Sequence, residues 1–391
     1  MLAFIAVTGA AQPPNEPKPP IPDGSKPSVW NVRESDFPLI SADGRVTFRV
    51  KAPQAQKVQV DPFMGLENNN GYNGLGKSPY EMTKGQDGYW MVTTPPAVPG
   101  FHYYRLLIDG VAVSDPATET FTALGRQVSG VEVPEPGVDF FDAKTVPHGE
   151  VRIFWYFSKT LDMWRKAFIY TPPGYDVHSE QRYPVLYLRH GGGEGPENWI
   201  KQGHSNFILD NLIAAGKAKP MILVMDDGTA AKSQEPVSMF ATPPADEVAQ
   251  VLIKDLIPTI DARFRTIADR DHRAMAGFSM GSVQTMFIGL GNLDKFSSLG
   301  VFSRAPMESF DVKTAFGGVF ADAADFNKKM HLFFFGAGTA EVGIHDGEKT
   351  TVAALELAGI KSVFAEFPGT SHEWQTWRKC LHGFAQNVFQ Q

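Results

Sequence analysis

Five residues, Gly277-Phe278-Ser279-Met280-Gly281, constrain this chain more than any other stretch. They read G-x-S-x-G, the pattern of a sharp turn that carries a strand directly into a helix. At such a turn the serine is forced into an exposed and strained position, and the glycines sit where strand and helix pass too close for larger side chains. The flanks agree. Arg273-Ala274-Met275-Ala276 is a short apolar run suited to a buried strand. Val283 to Leu290 suits a helix packed beneath a sheet.

A serine hydroxyl becomes a useful nucleophile only when a base takes its proton and an acid orients that base. On an α/β-hydrolase sheet the acid and then the histidine follow the serine in chain order. Of the later histidines, His331 opens an apolar strand and His382 lies inside the last helix, which makes both structural. His372 lies in Pro368-Gly369-Thr370-Ser371-His372-Glu373-Trp374, a loop between a strand and the final helix, where a base belongs. The acid is expected just after Phe333-Phe334-Phe335. Glu341 is first in place, and Asp346 is the alternative, five residues on at a helix start. An oxyanion needs backbone N–H groups. Met280 supplies one, and the early loop His190-Gly191-Gly192-Gly193-Glu194 is where the other is expected. Trp199, Arg304 and Asp226 are candidates for contact with substrate, and Trp199 would offer an apolar slot to an aryl acid.

The remainder of the chain fits a sheet with helices. Segments 182–188, 221–225, 331–335 and 362–367 read as strands, with Pro184 pushing the first towards an early or edge position. Segments 206–215, 247–260, 351–357 and 374–389 read as helices. Strand and helix alternation predicts an α/β domain with a mostly parallel sheet over 138–391. Residues 28–137 have a different texture. Alternating runs such as Arg45–Val50, Lys57–Val60, Gly88–Val92 and Phe101–Ile108, with the turn Asp109-Gly110, predict a small all-β immunoglobulin-like sandwich. Asn68-Asn69-Asn70-Gly71 and Gly74-Leu75-Gly76 read as loops. Residues 1–27 read as a proline-rich leader whose first dozen residues have the look of a signal remnant, so a secreted or periplasmic location is expected.

Composition narrows the partners. A net charge of −7 without a basic patch argues against nucleic acid, and no apolar run after the leader is long enough to span a membrane. The single cysteine, Cys380, rules out an intrachain disulfide. The spacing of His345, Asp346 and Glu348 matches no strong metal-ligand pattern, so no metal is expected there.

Several motifs in order carry a resemblance. Tyr170-Thr171-Pro172-Pro173-Gly174-Tyr175-Asp176, the loop His190 to Glu194, Ile208-Leu209-Asp210-Asn211-Leu212-Ile213, the elbow Ala276 to Gly281 and His372-Glu373-Trp374 resemble carbohydrate esterase family 1, the esterase D-like feruloyl and acetylxylan esterases. Gly100-Phe101-His102-Tyr103-Tyr104, Asp109-Gly110-Val111 and Asp115 to Phe121 resemble the family 48 carbohydrate-binding module joined to such enzymes. The resemblance implies hydrolysis of ferulate esters on plant arabinoxylan or its feruloylated oligosaccharides, through an acyl-enzyme and without a cofactor, and it gives the second oxyanion N–H to Gly192. Other implied readings are an acetylxylan esterase, a siderophore esterase of the enterobactin type, or a carbohydrate-binding protein whose hydrolase domain is inactive. Three residues depart from the family pattern: Glu341 where aspartate is usual, Ser282 where many relatives have glycine, and Arg304 where glycine is common.

Overall fold

The computed structural model describes residues 21, 24–63, 74–76, 79–229, 245–307 and 310–390. Most of the expected leader and the loop at 68–71 lie outside them.

The first half is built from antiparallel strands. A five-stranded sheet contains β1 (Val46–Lys51) and β3 (Tyr89–Thr93). A six-stranded sheet contains β2 (Val58–Asp61), β4 (Gly100–Ile108), β5 (Thr120–Ala123) and β6 (Arg126–Val133). Along β1 and β2, buried residues alternate with partly exposed ones, the signature of a sheet with one face inward. Val46, Phe48 and Val50 from one sheet meet Val58, Val60, Tyr104, Leu106 and Val131 from the other in a common core.

The second half is one eight-stranded sheet. Its strands are β7 (Glu150–Ser158), β8 (Met163–Thr171), β9 (Val185–Arg189), β10 (Ile222–Asp226), β11 (Arg273–Phe278), β12 (Ser298–Phe302), β13 (Leu332–Gly338) and β14 (Val363–Phe367). The spatial order is β7-β8-β10-β9-β11-β12-β13-β14. From β10 to β14 every pairing is parallel, while β7 and β8 form an antiparallel hairpin at one margin. The central strands are buried on both faces, as parallel strands covered by helices must be. Of the two positions expected of Pro184, early or edge, it takes the early one in β9. It precedes the first ladder residue, so its missing N–H costs nothing there, and its carbonyl accepts from the Ile222 N–H at 3.0 Å.

Four helices matter for the site: α1 (Ser205–Ala214), α2 (Met280–Leu290), α3 (Val342–Leu357) and α4 (Trp374–Asn387). The helix expected over 247–260 is three pieces end to end, Ala245–Gln250, a π-helical stretch Val251–Leu256 and Ile257–Arg263. No helix among the described residues is long and apolar enough to cross a membrane.

Candidate active site

The parallel strands bring their carboxyl ends to one edge of the sheet, and the loops that leave this edge carry the candidate residues. Ser279 follows β11 immediately. Its backbone sits at φ 51° and ψ −119°, a conformation a non-glycine residue adopts only at a cost. Its N–H donates to the Phe302 carbonyl of the neighbouring strand at 3.0 Å, which pins the turn. A Cβ on Gly281 would lie 2.6 Å from the His190 carbonyl oxygen and 2.7 Å from that of Arg189, so glycine is required where the helix crosses β9. Met280 opens α2, so its N–H has no carbonyl one turn earlier to reach and points to the helix N-terminal end.

Glu341 leaves β13 and His372 leaves β14, as their positions in the chain predict. Their side chains meet: the His372 Nδ1–H donates to Glu341 Oε2 at 2.7 Å. The Glu341 carboxylate is buried, while the His372 ring keeps partial access to solvent. The other carboxylate oxygen, Oε1, accepts from the Gly338 N–H and from the Ser303 hydroxyl, both at 2.7 Å. Ser303 in turn accepts from the Trp377 indole N–H at 3.1 Å. Trp377 stacks on Phe278 at 3.7 Å and stands edge-on to the His372 ring at 5.2 Å. An aromatic pair therefore joins the residue before Ser279 to the histidine. Asp346 is elsewhere. It is exposed and accepts from His345 Nδ1, not from His372.

A second carboxyl, Glu348, lies fully enclosed nearby and accepts from the Arg304 backbone N–H at 2.6 Å. Burial pushes its pKa well up, and the charge of Glu341 adds to the shift. Of the two carboxyl groups, Glu341 is the one that faces the imidazole.

The glycine-rich loop leaves β9. His190 Nε2 accepts from the Gly228 N–H at 2.8 Å, so its proton is on Nδ1, which donates to the Gly191 carbonyl at 2.8 Å. Gly193 sits at φ +70°, and a Cβ there would lie 2.5 Å from the Leu124 Cα. Its carbonyl accepts from the Gly125 N–H at 2.7 Å, so the β5–β6 turn rests against this loop. Gly192 stays partly exposed between these anchors.

The three residues expected at the substrate lie differently. Trp199 is fully buried. Its indole N–H donates to the Arg189 carbonyl at 2.9 Å and its ring packs on Phe278 and Trp374, so it supports the elbow from below and lines no slot. Asp226 is also buried and forms an ion pair with Arg189, whose Nε–H donates to Gln284. An unpaired Arg189 there would be costly, which accounts for an aspartate that faces away from the cleft. Arg304 stays at the carboxyl end of β12 but turns inward. Desolvation lowers its pKa to about 10, and one of its terminal N–H groups donates to the Ala305 carbonyl.

Ser303, Trp377 and Glu348 were not foreseen. Ser303 carries φ +49°, and nothing in its immediate sequence marks that conformation. Trp377 lies one turn into the helix that follows His372, a position that spacing from His372 makes accessible.

Known proteins share this architecture. An endo-1,4-beta-xylanase/feruloyl esterase of Xylanibacter ruminicola is 36% identical over 369 residues, 93% of this chain, and the chain spans 47% of that protein's length. An enterobactin esterase from Shigella flexneri matches with a TM-score of 0.64 over 88% of this chain and 93% of its own, at 17% identity. A ferulic acid esterase from Anaeromyces mucronatus, solved with ferulic acid, matches with a TM-score of 0.56 over 64% of this chain and 96% of its own, at 24% identity. At these identities the two structures share the fold. The Esterase family model matches residues 158–386, from the end of β7 through α4. The chain belongs to this Esterase family.

Proposed function

We propose that the chain hydrolyses ferulate and related hydroxycinnamate esters on plant arabinoxylan, with Ser279 as nucleophile, His372 as base and Glu341 as orienting acid. The observation that carries the mechanism is the 2.7 Å bond from His372 to buried Glu341, on loops that leave the same sheet edge as a strained Ser279. With Nδ1–H committed to Glu341, His372 Nε2 is the nitrogen that accepts the Ser279 proton as Oγ attacks the ester carbonyl. The negative charge that develops on the carbonyl oxygen is assigned to the N–H groups of Met280 and Gly192. Collapse of the tetrahedral species breaks the bond to the sugar oxygen, and His372 returns the proton to that leaving alcohol. Water then repeats the sequence on the acyl-enzyme and releases the acid. The 36% identity to a protein named as a feruloyl esterase supports the acyl group.

We assign residues 28–137 to an immunoglobulin-like carbohydrate-binding module and 138–391 to the esterase domain. The change from two antiparallel sheets to a single, mostly parallel one, between β6 and β7, supports that division. Hydrolysis of methyl ferulate and of acetylated xylan by the intact chain, with Ser279→Ala beside it, tests the function. Ser279→Ala is expected to lower kcat by about 10⁴-fold or more. Release of acetate in preference to ferulate would reject the acyl group. Unchanged turnover in the variant would reject the mechanism.

A further inference from the structure

The antiparallel half reaches the site through two consecutive residues of β4. His102 is fully buried, and both of its ring nitrogens face acceptors. Nε2 lies 2.6 Å from the Val98 carbonyl oxygen and Nδ1 lies 2.9 Å from Glu373 Oε1. A neutral imidazole has one N–H to give, so two oxygen acceptors, one on each ring nitrogen, call for the imidazolium. Burial alone would disfavour that charge. The charge and hydrogen bond of Glu373 outweigh it, with Glu132 of β6 contributing, and the His102 pKa is raised. Glu132 is itself clamped by both terminal nitrogens of Arg378, at 2.7 and 3.0 Å.

Glu373 is the residue after His372 and occupies the N-cap position of α4. Its side chain makes no cap. Instead Oε1 takes His102, and Oε2 accepts from the Gly74 N–H at 3.0 Å. A carboxylate with a ready partner on its own helix is thus drawn onto the other half of the molecule. Tyr103, next along the strand, acts on the same region. Its hydroxyl donates to Glu194 Oε1 of the glycine-rich loop at 2.9 Å and accepts from the Trp374 indole N–H at 2.9 Å.

We propose that His102 is a positioning residue for hydrolysis: as a buried imidazolium it anchors Glu373 and thereby fixes the loop that presents His372 to Ser279. This rests on the assignment of His372 as the base. The strand that resembles part of a sugar-binding module is, in this chain, turned inward to the esterase site.

The test uses the full chain with p-nitrophenyl acetate and methyl ferulate. His102→Ala, Glu373→Ala and the double variant are compared with the parent, and near-UV circular dichroism establishes that each is folded. Each single change is expected to lower kcat about 10- to 100-fold, the scale for a misplaced catalytic group, with KM within about twofold. The double variant is expected to lose no more than the worse single one. If His102→Ala does not fold, His102→Gln, which keeps one donor, replaces it. In the parent, ring-nitrogen NMR at neutral pH is expected to find both His102 nitrogens protonated. A folded His102 variant with kcat within about twofold of the parent overturns the proposal. Additive losses, or a singly protonated His102 ring, also overturn it. Ser279→Ala is run in parallel. Full activity there would defeat the serine mechanism itself, whatever the His102 variants do.

Discussion

In the proposed mechanism, Glu341 concentrates the orienting chemistry in one side chain. One carboxylate oxygen takes the imidazole, and the other is saturated by a backbone N–H and the Ser303 hydroxyl. The longer arm of glutamate is accommodated because Gly338 and Ser303 both reach it. Glu341→Gln keeps the shape but can offer the imidazole an N–H where an acceptor is needed. It is expected to lower kcat by about 10³- to 10⁴-fold, while Asp346→Asn leaves kcat unchanged; steady-state assays of both check this. Glu194 makes a separate prediction at this scale. Desolvation raises its pKa to about 8, and one oxygen is buried with no hydrogen-bond partner among the described residues. A carboxyl raised in the folded state keeps its proton there while the unfolded chain has lost it. Stability therefore falls as pH rises from the ordinary carboxyl range towards 8. Glu194→Gln removes that loss, so its advantage over the parent is expected to grow between pH 5 and 9, by on the order of 1–3 kcal/mol. Thermal melts across that range would show it, and a constant difference would contradict it.

Elements differ in how openly the sequence announces them. The elbow, the glycine-rich loop and the His372 loop were legible because each obeys a local rule: a glycine where backbones nearly touch, a polar loop between a strand and a helix. The β7–β8 hairpin was not. Ile153, Trp155 and Phe157 are exposed on one face while Phe154 and Tyr156 turn towards the core, so the two-residue alternation that marks a strand is erased. The first half of α3 was missed for another reason. Gly343 and Gly347 lower helical propensity there, and Gly347 is needed because a Cβ would lie 2.8 Å from the Pro306 ring. Trp199 shows the limit for side chains. Its position near the glycine-rich loop was readable, but which side of the loop it occupies depends on Phe278 and Trp374, far away in sequence. Gly193 is the element-scale prediction. Gly193→Ala must place a methyl against Leu124 in a left-handed backbone, so it is expected to cost about 1–3 kcal/mol and to lower kcat with little change in KM. Urea titration and steady-state kinetics measure the two effects.

Across the whole molecule, the contact between the two halves is buried, and it joins an apolar cluster, in which Phe101, Phe121 and Val128 meet Trp199, Leu209 and Trp374, to a set of polar pairs. Arg378 of α4 gives two N–H groups to Glu132 of β6, and its Nε–H donates to the Gln202 carbonyl at 2.6 Å. Gln202 also donates to the Tyr103 hydroxyl. Removing one partner leaves a charge buried without compensation. Arg378→Ala is therefore expected to destabilise the chain by about 3–5 kcal/mol. With the halves joined this way, the parent should unfold in one transition by both fluorescence and far-UV circular dichroism. Two separated transitions would mean that the halves fold independently of this contact.

The aromatic packing under the elbow has an optical consequence. Trp199 and Trp374 stand 5.3 Å apart at 88°, Trp374 and Trp377 5.1 Å apart at 82°, and Phe278 lies against all three. Indoles so close and fixed at such angles couple their electronic transitions. That gives a near-ultraviolet dichroic signal which disappears when tertiary packing loosens, even where helices and strands persist. The chain carries a built-in chromophore cluster around the turn that holds Ser279, so the integrity of that turn can be followed by light, with no label and no substrate.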